Sequence, residues 1–163
     1  MKKTISIIII FALALLAFGC MSSGEKKTQN NIMSYLDSME SIEKQKSNLI
    51  EKFMVLENSN DNEEILSLLN DEMLPLAQKI NDELTSIPIK DKEITPVHKE
   101  FTDGWSQLIA GLESINQGLK DGDIEKSTNG TKDIDASQDK LNQYYKDLET
   151  LCTKYAIKLT TEE

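Results

Sequence analysis

From Ile32 onward, apolar residues recur at three- and four-residue spacing, the period of a helix that buries one face. In the first such segment Ile32, Met39 and Phe53 repeat by sevens with Lys46 standing in the gap, while Tyr35, Ile42, Leu49 and Leu56 fill a second row without interruption. The pattern predicts a helix that ends at "NSNDN", whose Asn and Asp favour turns and caps. A second helix is predicted over 62–86, with Leu66, Met73, Ile80 and Ile87 in one row and Leu69, Leu76 and Leu84 in the other. Pro75 falls inside it, where a proline removes a backbone hydrogen bond and crowds the preceding turn at a cost of ~3 kcal/mol, so a kink is expected near Leu74. After "SIPIKDKEITP", Thr95 as cap and Pro96 at the first helical position open a third helix running to about Lys120. Its rows are Phe101, Leu108, Ile115 and Trp105, Leu112, Leu119. Asp123 is a candidate cap for a fourth, running to about Ile157 through Ile134, Leu141, Leu148 and Tyr155, with an interruption expected at Asn129-Gly130. No segment has strand alternation. The expectation is an all-α, up-down-up-down four-helix bundle over residues 32–160, with a three-helix coiled-coil bundle, splayed around Pro75, as the alternative.

Three glycines complicate the third helix. Gly104, Gly111 and Gly118 share one row, and each mid-helix glycine costs ~0.8–1 kcal/mol relative to alanine. Folding the third and fourth helices back about Gly122-Asp123 sets Gly118 near Ser127, Gly111 near Ile134 and Gly104 near Leu141. Leu108 and Ile115 then face Gln138 and the Gly130-Thr131 region, large against small on both sides. Close packing is favoured by this complementarity; the competing expectation is an open groove that accepts a partner.

The chain begins "MKKTISIIIIFALALLAFGC": two lysines, an uncharged run from Thr4 to Gly19, then cysteine. The run is short of the ~20 residues of a membrane-spanning helix and has the layout of a secretory signal. "LLAFGC" resembles the lipobox of bacterial lipoproteins, although the commonest pattern has Leu where Ala17 stands. That resemblance implies cleavage between Gly19 and Cys20 and a diacylglycerol, with its palmitate-type chains, on the Cys20 thiol. Residues 1–19 are then a removed signal peptide, and 20–31, polar and without periodicity, a lipidated cysteine and flexible tether spanning on the order of 18 Å. Two acyl chains give stable anchoring without spanning. The expected location is the outer face of the cytoplasmic membrane.

Removing residues 1–19 takes away two of eighteen lysines and no acid, moving the net charge from −10 to −12. Such a balance argues against nucleic-acid binding, which neutralises phosphates with Lys and Arg. The chain has no arginine, and its Ile, Lys and Asn content suggests an AT-rich, low-GC Gram-positive source. With Cys20 lipidated, Cys152 has no disulfide partner in the chain.

No catalytic residue, metal site or cofactor is expected. His98 is the lone histidine, with only Glu100 and Asp103 beside it, short of a zinc set. "DIDASQD" spaces Asp133, Asp135, Ser137 and Asp139 by twos, but Gln138 and Tyr144 stand where a calcium loop needs glycine and glutamate. Cys152 lies on the apolar stripe as a small core residue. Trp105, with Phe101, Tyr144 and Tyr145 across the predicted hairpin, is either an aromatic core end or a partner anchor.

The proline in the second helix, "EITPVHKEF", "GLESINQGLKDGD" and "YYKDLETLCTKYAI" together resemble small helical-bundle lipoproteins of low-GC Gram-positive bacteria. The resemblance implies an envelope-anchored bundle and supplies no substrate. The expected function is a non-enzymatic binding or adaptor module for an envelope protein or cell-wall component. The alternatives are a small-ligand or metal-binding lipoprotein and a phage-related or defensive surface lipoprotein.

Overall fold

The computed structural model describes residues 12–15 and 22–160. Its helices are α1 (Ser23–Asn58), α2 (Asn62–Ser67), α3 (Leu74–Ser86), α4 (Ile94–Asp121) and α5 (Ile124–Lys154), with a π-helical turn, Leu68–Met73, joining α2 to α3. The 62–86 stretch is thus one continuous rod, and four rods make an all-α bundle. Its core runs the length of the molecule, from Ile32, Leu36 and Ile94 through Met39, Leu69, Met73 and Ile80 to Leu112.

Residues 23–31 of the expected flexible tether are instead the opening turns of α1. Ser22 and Glu25 make a capping box: the Glu25 amide donates to Ser22 Oγ at 3.3 Å and the Ser22 amide to Glu25 Oε2 at 2.7 Å. Gln29 then reaches the Tyr155 carbonyl at 2.9 Å, and Asn31 reaches Asp91 at 2.8 Å. These polar contacts dock a segment that has no apolar stripe. The Gly19-Cys20 cleavage site and the lipidation site at Cys20 lie outside the described residues.

Pro75 is absorbed by the π-turn. In that turn the Leu74 amide bonds to the Leu69 carbonyl, five residues back, so the widened backbone gives the ring room where an α-helix would crowd it. At the third helix Asp91, rather than Thr95, does the capping: its carboxylate accepts from the Glu93 amide at 2.9 Å and its carbonyl from the Thr95 amide at 2.9 Å. Asp123 caps α5 by accepting from the Lys126 amide at 2.9 Å, and Gly122, with φ 68°, makes the left-handed turn before it.

Helix α5 passes through Asn129-Gly130 without a break and stops at Lys154, short of the expected Ile157. Ala156 takes a left-handed φ of 56°, which turns the chain out of the helix and drops Ile157 into the core at 5% exposure. Ile157–Thr160 then forms a strand, β2, paired antiparallel with β1 (Ala12–Leu15), Leu15 opposite Ile157. β1 has no alternation, and the apolar-polar alternation of β2, Ile157-Lys158-Leu159-Thr160, is only four residues long. β1 falls within the segment expected to be removed.

The α4–α5 hairpin is the closest approach in the bundle, and glycines make it so. Gly104, Gly111, Gly118 and Gly130 are all buried. A Cβ on Gly111 would stand 2.7 Å from Ile134 Cγ1 and 2.8 Å from the Gly130 carbonyl oxygen, and one on Gly118 would strike Ser127. Reciprocally, a Cβ on Gly130 would meet the Gly111 carbonyl at 2.6 Å and Ile115 at 2.8 Å. Gly104 lies under Leu141 and Lys140 with more room, 3.1–3.3 Å. The described residues of α5 thus fill this face of α4, and the open groove is corrected to a packed seam.

Candidate functional site

The aromatic group expected as a possible partner anchor is interior. Phe101 and Tyr144 are fully buried, Trp105 is 1% exposed and Tyr145 9%. Ring centroids lie 4.5 Å apart for Phe101–Tyr144 and 4.9 Å for Tyr144–Tyr145, and the Trp105 indole donates to the Ala77 carbonyl at 2.9 Å. Every polar edge is spent inside the bundle. None of the four is available to a partner, so the surface-anchor alternative is corrected to a core role.

Against this cluster α1 sets two polar groups that the rows of apolar residues do not lead one to expect. Glu43 and Lys46 are 5% and 6% exposed and paired with each other. Tyr145 donates its hydroxyl proton to Glu43 Oε1 at 2.7 Å, Lys46 also contacts the Tyr145 hydroxyl oxygen, and its ammonium stands 4.4 Å from the Tyr145 ring centroid. Burial pushes the Lys46 pKa below its ordinary value, against the pull of Glu43. Burial also pushes the Tyr145 and Tyr144 phenols well up, seconded by the Glu43 charge at Tyr145 and by Tyr35 at Tyr144. Both phenols therefore stay protonated and neutral.

The layer continues outward. Tyr35 and Tyr144 share a hydroxyl contact at 3.3 Å, and His98 Nδ1 lies 3.4 Å from the Tyr35 hydroxyl with the rings edge-on. His98 is half-buried, and that burial lowers its pKa. The signal for this layer was visible in the sequence as Lys46 interrupting a heptad row. What could not be read there was that Glu43, one turn earlier, and Tyr145, 99 residues later, would meet it.

The other candidates occupy ordinary positions. Asp133, Asp135 and Asp139 ride on α5, which has no loop to wrap a cation, and no group of three or more His, Cys, Asp or Glu among the described residues could hold a metal. Cys152 is fully buried, and burial pushes its thiol up to about 12, far from a nucleophilic thiolate. Near Tyr35 a cleft of about 220 Å³ lies between α1 and the 87–91 connection, smaller than the ~300 Å³ at which ligand pockets begin.

The exposed apolar residues are elsewhere. Met54 and Val55, 53% and 51% exposed, lie near the end of α1, and Ile124, 81% exposed, opens α5. Hollows of about 400 Å³ open beside each, one lined by Asn58, Ser59 and Glu64, the other by Asn62, Leu119 and Ser127. Compared with known proteins, the chain matches no family model, no curated protein and no solved structure.

Proposed function

We propose that this protein is a lipid-anchored, extracytoplasmic adaptor: an up-down-up-down four-helix bundle held on the outer face of the cytoplasmic membrane by a diacylglycerol on Cys20. Its far end engages an envelope protein or cell-wall component, and no chemistry is performed. The lipobox-like "LLAFGC" supports the anchor. The observation that carries the adaptor role is the position of Met54, Val55 and Ile124. They are exposed large apolar residues at the end of the bundle opposite Ser22, where a partner can reach them without meeting the membrane.

Two experiments test it. Cys20→Ser should leave an unprocessed chain that is never acylated; a mature, acylated product from that variant would remove the lipobox reading. A photo-crosslinking side chain at position 124 should capture one discrete partner in intact cells, while the same probe at Asp139, exposed midway along α5, should not. Identical capture from both positions would remove the distal-end assignment.

A further inference from the structure

The lysines are not spread evenly over this acidic protein. Three separate stretches meet at the end of the bundle where α1 begins: Gln29 holds Tyr155, Asn31 holds Asp91, and Lys154 bridges to Glu93 at 2.6 Å. Those stretches bring Lys26, Lys27, Lys90, Lys92, Lys154 and Lys158 together, and all six are exposed. Only Lys154 among them is ion-paired within the described residues.

The acids at this end, Glu25, Asp91 and Glu93, are half as many as the lysines, and each is engaged by a neighbour. Glu25 is occupied by the Ser22 cap, whose hydroxyl and amide hold its carboxyl below the usual range. Burial opposes ionisation of Asp91, but hydrogen bonds from Asn31, the Glu93 amide, Thr28 and the Ile94 amide outweigh it and hold that carboxyl low. Glu93 faces Lys154. Glu162 and Glu163, beyond β2, lie outside the described residues. At the opposite end Asp61, Glu63, Glu64, Asp121, Asp123 and Glu125 outnumber Lys120 and Lys126. The bundle is therefore polarised along its axis, positive where the chain enters and negative at the far tip.

We propose that the positive end is a docking surface for anionic phospholipid headgroups. The proposal rests on the anchor reading for its geometry, since α1 starts at Ser23, three residues after Cys20, and an acylated Cys20 holds this end against the bilayer. Lysines within a Debye length of an anionic surface, about 10 Å at 0.1 M salt, are drawn to it, and the acidic tip is repelled. One acyl-anchored point and a basic face together fix an orientation that an anchor alone leaves free.

The test uses the mature protein in vesicles of phosphatidylcholine alone or mixed with phosphatidylglycerol, with amine-reactive labelling read lysine by lysine by mass spectrometry. Lys26, Lys27, Lys90, Lys92 and Lys158 should label at least about threefold more slowly in the anionic vesicles, with Lys44 and Lys132 unchanged, and the difference should vanish at 1 M salt, where the Debye length is about 3 Å. Equal labelling in both vesicles, or protection that survives 1 M salt, overturns the proposal. The same spectra read the mass at Cys20. Protection without acyl chains keeps the basic surface and removes the anchor; acyl chains without protection do the reverse.

Discussion

At the scale of single residues, the glycine row makes a graded prediction. Replacing a helical glycine by alanine gains ~1 kcal/mol of propensity, while overpacking a filled site costs about 1–3 kcal/mol. At Gly111 the new methyl meets the Gly130 backbone carbonyl as well as Ile134, and at Gly118 it meets the Ser127 amide and the Asp123 carbonyl, atoms that cannot rotate away. Gly111→Ala and Gly118→Ala should therefore lose up to about 2 kcal/mol net in denaturant melts, whereas Gly104→Ala, which meets Lys140 Cβ at 3.1 Å and the rotatable Leu141 side chain at 3.3 Å, should be close to neutral. A uniform stabilisation across the three would mean the seam is looser than described. His98 makes a prediction of opposite character. Burial lowers its folded pKa, so the unfolded chain binds the proton more readily, and stability falls as pH drops through the window between the unfolded value near 6.5 and the lower folded one. Glu100, raised by partial burial and by its neighbours Asp147 and Asp103, has the reverse sign and gains stability as pH falls. Comparing wild type with His98→Gln cancels the Glu100 contribution. The wild type alone should lose melting temperature faster between pH 7 and 5, and parallel curves would exclude the effect.

At the scale of elements, hydrophobic period located all four rods, while the ends escaped it for physical reasons. Residues 23–31 carry no apolar stripe, so periodicity sees a tether, but Ser22 with Glu25 three positions on is a capping-box signature that was readable. The exit of α5 at Ala156 was not readable, because nothing in alanine's chemistry asks for a left-handed backbone. Ala156→Gly should accordingly raise stability by up to ~1 kcal/mol in a thermal melt, and no change would mean the turn is unstrained. Pro75 predicts a kink, and what the structure places before it is an added residue's worth of backbone in the π-turn. A double-mutant cycle can establish that the two are coupled. Deleting exposed Asp71 should convert the turn to α-helix and put Pro75 in conflict with the preceding turn, at a cost near the ~3 kcal/mol of an interior proline. The same deletion combined with Pro75→Ala should recover most of that loss. Additive losses in the two variants would mean that the proline and the wide turn are independent.

At the scale of the whole molecule, the question is what fixes α1 against the α4–α5 hairpin. The hairpin is locked by interdigitating glycines and large side chains, a registration that admits no sliding. Helix α1 has no such teeth, and its rows repeat every seven residues with one gap, at Lys46. With a methionine in place of Lys46, the row from Ile32 through Met39 to Phe53 would be uniform, and a slip of one heptad would again set apolar on apolar. In the native chain that slip would strip Glu43 and Lys46 from Tyr145 and leave two buried charges without their third partner. Lys46→Met alone should therefore cost about 3–5 kcal/mol, because Glu43 stays buried with its counter-charge gone. The triple variant Glu43→Leu, Lys46→Met, Tyr145→Phe should melt at or above the wild type, since an apolar replacement of a buried ion pair is often neutral or stabilising. Its loss should be in uniqueness: more than one set of amide resonances for α1, and weaker hydrogen-exchange protection there than in α4 and α5. A triple variant with a single set of resonances and native protection would show that the ion pair does not set the register. The position of α1 would then be fixed by what remains at its start, Gln29 on Tyr155 and Asn31 on Asp91, the contacts that also gather the lysines at that end.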